Sequence, residues 1–534
     1  MSDTESTTAS DNRHPRDEAV LASLGYKQEF KRAFSPWESF GIAFSIIGLL
    51  PSMASTLSFS LSNGGPVSMV WGWAVVSFFV MFIALALSEL ASAAPTSGGL
   101  YFWSYKYSSP RWRTLVSWLV GYCNTMGNIA GVASIIWGCA VQLMAAVSIG
   151  SGLTFTPTNA QLFGVFTALM VLDGLVASTA TRILARLQGF YAALNLLLCL
   201  AIIIALPAAT PKEFKNSASY ALGGFSNLSN WNDGWAFILS FLAPLWTIGG
   251  FDGPIHISEE VSNARTAVPW AIVTSIGIAG VLGWAINMVL AFNMGQDTES
   301  ILASPIGQPM AAIFFNSFGT KPTLAIWSVV VITQFFMGTS ALVSCSRQTF
   351  AFARDGALPF STVFYRINPY TRTPVNCVWA SVFAGFLLGL LAFAGPTAVN
   401  AIFSLGVIGQ YLAFSIPIAC RFLGGVPWRA GPFSFGRLGL PIGIIAVVWE
   451  AFNIVVVSFP SSTDPTAQNM NYTAVVSGGW IILCLLYYFC PKYGGRYWFT
   501  GPVRNVGVDS EDAESVGGSV SVEVVDEKKE ADAC

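Results

Sequence analysis

Charged residues are scarce in this sequence of 534 residues: Asp, Glu, Lys and Arg together make up 10% of it, whereas 54% is hydrophobic. Soluble domains carry roughly 25% charged residues, so water is not the solvent for most of this surface. The formal net charge of -2 provides no basic stripe, and no glycine-rich phosphate-binding loop is present. These absences exclude nucleic-acid binding and nucleotide hydrolysis as functions.

Histidine is rarer still, with only His14 and His256 in the chain. A membrane enzyme therefore has little support, because no His-Asp or His-rich constellation is visible. The nine cysteines show neither the spacing of a zinc site nor a disulfide framework. We interpret them as small packing residues and expect no metal and no cofactor.

Long apolar windows recur between Trp37 and Cys490. A bilayer core about 30 Å thick needs roughly 20 apolar residues per helix, so the sequence predicts an all-α integral membrane protein with about twelve transmembrane helices. The predicted spans are 37–60, 67–90, 115–147, 161–178, 189–208, 235–258, 269–292, 323–350, 374–394, 398–421, 439–459 and 474–490.

Two polar tails flank this transmembrane domain at 37–490. Residues 1–36 carry mixed charge without the apolar core and cleavage site of a signal peptide, and we expect a disordered N-terminal tail. Residues 491–534 form an acidic C-terminal tail, in which nine acids from Asp509 to Asp532 stand against Lys528 and Lys529. From Val508 onward we expect disorder there as well.

Positive charge predicts the orientation of the spans. With both ends inside, only Lys212, Lys215 and Lys321 of the 26 Lys and Arg residues fall in outside loops, so both termini are expected to be cytoplasmic. The sequons Asn227-Leu-Ser and Asn471-Tyr-Thr fall in outside loops. They are candidate glycosylation sites, although such a pattern also occurs by chance.

Glycine and proline interrupt two of the spans. The first contains Gly-Leu-Leu-Pro-Ser-Met-Ala at 48–54, where Pro51 removes an amide, and the sixth has three glycines and a proline within 249–254. If the first ten helices are two five-helix repeats, these spans correspond, and paired interruptions predict a substrate site at the midplane. Free amides suit an anion, and unwound carbonyls suit a cation. An amino acid carries both charges and so fits both interruptions. The alternative is two ordinary kinks in packed helices.

Charged side chains within spans are costly and therefore informative. Asp252 lies in the interrupted part of the sixth span, where it could bind a substrate amine, hold a gate or take a proton. Glu89 and Asp173 lie near span ends and favour a solvated or salt-bridged structural role. Glu450, in the eleventh span, favours a helix contact.

Polar and aromatic side chains leave two interpretations open. Asn124 and Asn128 are spaced i and i+4 on the third span and so face one direction, where they line a cavity or form interhelical hydrogen bonds. Trp246 and Phe251 are candidate gating aromatics, but a chain with 40 Phe and 18 Trp places aromatics near any site. His256 could titrate near neutral pH, although a lone histidine is more often only hydrogen-bonded.

Several motifs follow one another between residues 30 and 490. They are Gly-Leu-Leu-Pro-Ser-Met-Ala-Ser-Thr-Leu (48–57), Gly-Gly-Pro (64–66), Ala-Pro-Thr-Ser-Gly-Gly-Leu-Tyr (94–101), Ile-Gly-Gly-Phe-Asp-Gly-Pro-Ile-His-Ile-Ser-Glu-Glu (248–260) and Ala-Arg-Asp-Gly-Ala-Leu-Pro (353–359). Together they resemble the amino-acid, polyamine and organocation permeases, and within them the fungal amino-acid and choline transporters. The first motif is most similar to the γ-aminobutyrate permeases.

The resemblance implies a LeuT-type fold of two inverted five-helix repeats plus two helices, and transport by alternating access. It also implies that backbone at the first interruption binds the substrate carboxylate, while carbonyls at the sixth bind the amine. The candidate substrate-binding residues are Gly48, Leu49, Leu50, Pro51, Ser52, Asn124, Asn128, Thr247, Ile248, Gly249, Gly250 and Phe251.

Proton symport in a plasma membrane is a further implication of the resemblance. The fifth span nevertheless offers Tyr191 and Asn195 where some relatives use a lysine, so the proton carrier is open. The arginines in the set that follows are equally well explained as cytoplasmic anchors. The candidate coupling and gating residues are Asp252, Trp246, Glu259, Glu260, Arg347, Arg354 and Asp355.

The predicted function is secondary active transport of a small amino acid or amine, with γ-aminobutyrate as the first substrate. Choline, polyamines and other amino acids are alternatives within the same family. A non-transporting nutrient sensor on the same fold is the rival hypothesis. The expected partners are the substrate, protons and the lipid bilayer.

Overall fold

The computed structural model describes residues 14–179, 181–460, 462–466 and 470–506. These residues form helices joined by loops, with no strand beyond two isolated bridges. The predicted all-α class is confirmed. The helices are His14–Ser23, Pro36–Ile47, Leu49–Ser62, Gly65–Val67, Trp73–Ala93, Gly99–Tyr107, Arg113–Gly150, Asn159–Ala177, Thr181–Ala209, Ala218–Gly223, Asp233–Leu239, Leu242–Thr247, Gly253–His256, Ala264–Asn293, Thr298–Leu302, Pro309–Phe318, Thr320–Arg354, Ser361–Phe364, Val375–Gly389, Pro396–Leu423, Gly439–Val456 and Thr473–Phe489.

Ten helical segments of the described chain are long and apolar enough to cross a membrane. They correspond to every predicted span except the sixth and the twelfth. The twelfth, Thr473–Phe489, is apolar but shorter, and the sixth is divided into Asp233–Leu239, Leu242–Thr247 and Gly253–His256. The sixth span is not one of the ten long helices because it is interrupted at the glycines, where the sequence predicts the interruption.

The third span lies at the centre of the bundle and packs along the eighth and tenth spans. Its contact with the tenth span uses glycine on both sides, since a Cβ added to Gly409 would lie 2.6 Å from the Cα of Gly127. Small residues let helix backbones approach closely in a membrane. The close contact fixes the position of the polar side chains that both spans carry.

The outer surface of the bundle is apolar. Large hydrophobic side chains such as Phe78, Leu197 and Ile204 are exposed on membrane-spanning helices. In water such a surface would be a liability, whereas hydrocarbon is its natural solvent. The chain is therefore built as a multi-pass membrane protein.

The N-terminal segment differs from the expected disordered tail. His14–Ser23 is a helix, and Leu21, Tyr26 and Phe34 are buried. The expectation of disorder is wrong for residues 17–34, because these apolar side chains pack against the bundle. Asn505 donates its amide to Gly25 O at 2.9 Å, so both ends of the described chain meet on one side, which we call the terminal face. The acidic stretch from Val508 lies outside the described residues.

Three carboxylates within or beside spans have different surroundings. Glu89 accepts a hydrogen bond from Arg421 at 2.5 Å, which confirms a salt-bridged role. Asp173 on the fourth span accepts the hydroxyl of Thr339 from the eighth. Glu450 is fully buried on the eleventh span, and neither of its oxygens has a hydrogen-bond partner among the described residues.

Candidate functional site

The first span is interrupted at a single residue. Pro36–Ile47 ends at Gly48, which has φ 47° and ψ 55°, and Leu49–Ser62 begins immediately after it. Pro51 lies in the first turn of this second half, where a missing amide costs no helical hydrogen bond. Neither the Leu49 nor the Leu50 amide donates to a backbone carbonyl of a described residue, but the Leu50 amide faces the thiol of Cys199 on the fifth span. The interruption therefore presents the Leu49 amide, which has no backbone partner among the described residues, at a helix N-terminus.

The side chain of Met337 covers this interruption from the eighth span. A Cβ added to Gly48 would lie 2.7 Å from Met337 Sδ, so the methionine needs a glycine beneath it. Ser52 donates its hydroxyl to Ile47 O at 2.6 Å and also lies 3.1 Å from the same sulfur. The serine thus satisfies a carbonyl at the break and is shielded by Met337.

The sixth span is unwound over a longer stretch, between Leu242–Thr247 and Gly253–His256. Gly250 has φ 72°, a conformation that favours glycine. The carbonyls of Ile248, Gly249 and Phe251 accept no hydrogen bond from the described residues. Carbonyls without a hydrogen-bond partner in an unwound stretch are suited to a cation.

A cavity lies between the two interruptions. Its volume is ≈ 40 Å³, which is room for about three waters. The cavity is therefore smaller than an amino acid, which could enter it only if the surrounding spans moved apart. The lining residues are Ile46, Asn128, Gly131, Val132, Ile135, Trp246, Gly249, Gly250, Asp252, Met337, Ala341, Ser344, Gly406, Val407 and Gln410.

Only some predicted site residues reach this cavity. The structure brings together Asn128, Trp246, Gly249, Gly250 and Asp252. It does not place Gly48, Leu49, Leu50, Pro51, Ser52, Asn124, Thr247, Ile248 or Phe251 on the lining.

The first span contributes Ile46 instead, because Met337 lies over Gly48. Thr247 donates to or accepts from Thr56 at 3.1 Å and so joins the two interrupted spans. Phe251 packs on Phe414, with ring centroids 5.5 Å apart. Thr247 and Phe251 therefore support the residues that line the cavity and do not line it themselves.

The tenth span supplies lining residues that sequence reasoning missed, namely Gly406, Val407 and Gln410. Gln410 follows Gly409, whose contact with the third span fixes the helix there. A glutamine beside spaced glycines in an apolar span is the signal that could have identified this site. Met337 carried no comparable signal, because a methionine in a span is ordinary.

Asp252 belongs to a chain of buried polar side chains. His256 Nε2 lies 3.3 Å from Asp252 Oδ2 and 3.3 Å from Asn124 Nδ2. Asn128 donates to Asn124 Oδ1 at 3.0 Å. All four are buried, and Asn128 and Asp252 at the two ends of the chain line the cavity. Asn124 therefore does not line the cavity but connects Asn128, which does, with His256.

Two buried ion pairs close the terminal face below the cavity. Glu259 accepts from Arg354 Nη1 at 2.8 Å and from Nη2 at 3.0 Å. Glu260 accepts from Arg347 Nε at 2.9 Å. Burial opposes ionisation of Glu259, but Arg354 outweighs it and holds the pKa of Glu259 below its ordinary value. Breaking such a buried pair costs about 3–5 kcal/mol, so this face is firmly shut.

Asp355 ties the N-terminal and C-terminal segments to these ion pairs. It accepts the hydroxyls of Tyr26 at 2.9 Å and Tyr101 at 2.7 Å, and the amide of Val503 at 3.1 Å. The guanidinium of Arg354 lies 4.0 Å from the centre of the Tyr26 ring. Burial raises the pKa of Asp355 to about 6.

The opposite face holds a wider vestibule of ≈ 250 Å³ between the outer parts of the first, sixth, tenth and eleventh spans. Phe59, Ala401 and Ser404 are among its lining residues. Trp246, which lines the central cavity, packs on Phe403 with ring centroids 4.9 Å apart. An aromatic pair therefore stands where the two spaces approach each other.

The side-chain amide nitrogen of the asparagine in each sequon donates a hydrogen bond to a backbone carbonyl. Asn227 Nδ2 donates to Trp231 O at 2.8 Å, and Asn471 Nδ2 donates to Phe459 O at 2.8 Å. Glycosylation needs this nitrogen, so it would precede or disturb these contacts. Glycosylation stays a prediction at both positions.

The sequence is similar to known proteins over most of its length. The family model described as "Amino acid permease" matches residues 34–483. A "GABA-specific permease" of Saccharomyces cerevisiae is 38% identical over 510 residues, which are 94% of this chain and 88% of that protein. An uncharacterized amino-acid permease of Schizosaccharomyces pombe is 37% identical over 93% of this chain and 90% of its own. An amino-acid permease of Arabidopsis thaliana is 33% identical over 91% of this chain and 96% of its own.

The match extends over the interrupted spans, the cavity and the terminal-face ion pairs. These relatives are named as permeases, so the activity is transport of amino acids rather than catalysis. The chain belongs to the amino acid permease family of the amino-acid, polyamine and organocation superfamily.

Proposed function

We propose that the chain imports γ-aminobutyrate, or another small amino acid, together with protons by alternating access. The observation that carries this proposal is the meeting of two interrupted spans at one cavity. The second half of the first span begins with the Leu49 amide, which has no backbone partner among the described residues, and free carbonyls with Asp252 lie at the sixth. A helix N-terminus attracts a carboxylate and a carboxylate with carbonyls attracts an amine. The similarity to a relative named a GABA-specific permease supports the choice of substrate.

The substrate would enter from the vestibule and leave through the terminal face. We propose a plasma-membrane location with both termini cytoplasmic, because the positive charges are concentrated on that side. The arrangement would then be an occluded state in which Trp246 and Phe403 separate the cavity from outside. Glu259, Glu260, Arg347, Arg354 and Asp355 would form the inside gate, and its ion pairs would separate when the cytoplasmic side opens.

The contraction of the cavity suggests how the carboxylate site forms. Met337 lies over Gly48 and next to the cavity, so displacement of its flexible side chain would connect the two. Methionine adapts readily because it is unbranched. The backbone of Gly48, Leu49, Leu50, Pro51 and Ser52 would then receive the carboxylate, while Ile248 to Phe251 receive the amine.

Uptake of labelled γ-aminobutyrate in yeast cells that lack their own permeases tests the substrate. Choline, putrescine and neutral amino acids serve as competitors. Choline has no carboxylate and would leave the first-span amides unused, so competition by choline alone contradicts the substrate proposal. Binding without accumulation would favour the sensor hypothesis.

Proton coupling is tested separately with a protonophore. Collapse of the proton gradient is expected to abolish accumulation but not exchange of labelled for unlabelled substrate. Accumulation that persists rules out obligatory proton symport. Asp252→Asn is expected to lose accumulation, and unchanged transport and pH dependence in this variant would remove Asp252 from the mechanism.

A further inference from the structure

The imidazole of His256 is completely buried one helical turn after Asp252. Its Nδ1 lies 3.1 Å from the carbonyl oxygen of Ser97, and its Nε2 lies 3.3 Å from Asp252 Oδ2. A carbonyl oxygen only accepts hydrogen bonds, so Nδ1 must carry the hydrogen. Ser97 thereby selects the tautomer of the ring.

This tautomer sets a requirement at Nε2. In the neutral ring Nε2 has a lone pair, and a lone pair that faces an ionised carboxylate oxygen is repelled. The contact with Asp252 is favourable only when one more proton lies between the two atoms, on Nε2 as an imidazolium or on Oδ2 as a carboxylic acid. We propose that the Asp252–His256 pair binds the transported proton, an inference that rests on the proposed proton symport.

No other charge competes for this proton among the described residues around the pair. Apart from Lys321 at the opposite, exposed end of the eighth span, the charged side chains on the elements packed against the pair are engaged elsewhere, in ion pairs or in bonds to backbone. Asn124, which also faces Nε2, is neutral. The engaged groups are Glu259 with Arg354, Glu260 with Arg347, Arg265 with Ser92 O and Glu38 with Ser35 N.

Burial makes the protonated pair the favoured closed form. With its proton, the pair is neutral overall, as an ion pair or as acid and base. Release of the proton leaves a buried carboxylate beside a lone pair, which is costly. The proton therefore leaves most readily when a gate opens and bulk water reaches the pair.

Ser97 links the proton site to the inside gate. Its carbonyl accepts from His256, and its amide donates to Glu259 Oε1 at 3.0 Å. Glu259 is the acceptor of the two hydrogen bonds from Arg354. A movement of His256 on proton release is thus transmitted through one residue to the ion pair that closes the terminal face.

Asn124 and Asn128 link the proton site to the substrate cavity. A carboxamide can present either its N–H or its oxygen, so Asn124 satisfies Nε2 with or without a hydrogen. Asn128 bonds to Asn124 and lines the cavity. The orientation of the two amides can therefore follow the proton, and substrate in the cavity meets a different amide face in each state.

Proton uptake on substrate binding tests the proposal with the full-length chain in detergent. Titration calorimetry in buffers of different ionisation enthalpy gives the number of protons bound per amino acid, with γ-aminobutyrate tried first and then the best competitor from uptake. The wild type is expected to take up about one proton, because substrate binding closes the open, hydrated and proton-free form around the pair. His256→Asn keeps a donor for Ser97 O but has no group at Nε2, so it is expected to bind substrate with no proton uptake. Asp252→Asn should do the same.

His14→Asn, which changes the other histidine of the chain, is the matched control and should behave as the wild type. Full proton uptake in His256→Asn overturns the proposed pair while proton symport stands. Binding without proton uptake in the wild type contradicts both the pair and the symport.

A variant that fails to fold does not end the test. Infrared difference spectra of His14→Asn with isotope-labelled histidine then report on His256 alone, since no other histidine remains. Substrate binding should change the imidazole bands. Bands that do not change on substrate binding overturn the proposal.

Discussion

The side chain of Ile46 in the first span fills the space beside Gly250 in the sixth. A Cβ added to Gly250 would lie 2.3 Å from Ile46 Cγ2, and one added to Gly253 would lie 2.5 Å from Ile46 Cδ1. Gly250 also has φ 72°, which a side chain disfavours. The two interrupted spans therefore touch through glycines that leave no room for a methyl group.

Gly250→Ala is expected to reduce uptake strongly and to lower the melting temperature of the purified protein. Overpacking a tight contact costs about 1–3 kcal/mol, and the positive φ adds strain. Gly164→Ala is the matched control, because a Cβ at Gly164 meets nothing within 4 Å and its φ is not positive. The control should transport normally. Normal transport by Gly250→Ala would show that the contact is not required.

Glu259→Gln is expected to open the terminal face more often. Gln cannot balance the buried Arg354, and an uncompensated buried charge costs about 3–5 kcal/mol. The opening is measured as labelling of Ser344→Cys, a cavity-lining position, by a charged thiol reagent in the two backgrounds. Glu38→Gln is the control, since Glu38 only caps a helix at the surface. Equal labelling in Glu259→Gln and Glu38→Gln would exclude the ion pair as the closing element.

The sequence predicted where the spans are interrupted but not what covers the interruptions. Local chemistry determines the former: Gly48 allows a left-handed residue and the glycines at 249–253 allow unwinding. The cover over Gly48 is Met337, 289 positions away in the chain. A contact of that range depends on how the eighth span packs, and no periodicity of the first span encodes it.

Asp252 and His256 also form a contact that the sequence alone does not predict, although both lie within one motif. Their i and i+4 spacing is visible in the sequence, yet it brings side chains together only if the stretch is helical. The surrounding glycines and proline argue against a helix, whereas the structure contains the short helix Gly253–His256. The ring also needs Ser97 from another segment to fix its tautomer.

Asp355 is expected to make stability depend on pH. Its pKa is raised to about 6 by burial, above the value of about 4 in an unfolded chain, so the folded state binds the proton more tightly. Its stabilising contribution is therefore full below about pH 4 and is lost as pH rises through about 6.

The measurement is the difference in melting temperature between the wild type and Asp355→Asn, which cannot titrate there. Converted to a free energy of unfolding, the difference should favour the wild type more at pH 5 than at pH 7, by about 1 kcal/mol. A difference independent of pH would contradict the raised pKa.

Phe403→Ala is expected to weaken the separation between the central cavity and the vestibule. Phe403 packs on Trp246 at 4.9 Å and on Phe59 at 6.0 Å, so its removal deletes the ring shared by both aromatic contacts. Such pairs contribute about 0.5–1.5 kcal/mol beyond burial, which is enough to populate an outward-open state several-fold more. Accumulated labelled substrate should then leak faster into substrate-free medium.

Efflux at equal internal concentration is the decisive comparison for this aromatic pair. Phe393→Ala is the matched control, because Phe393 is exposed at the outer end of the ninth span and lines neither space. Faster efflux in Phe403→Ala alone places the outside gate at Trp246 and Phe403. Equal efflux in the two variants would mean that the cavity is sealed from outside by the close packing of the third and tenth spans at Gly127 and Gly409 instead.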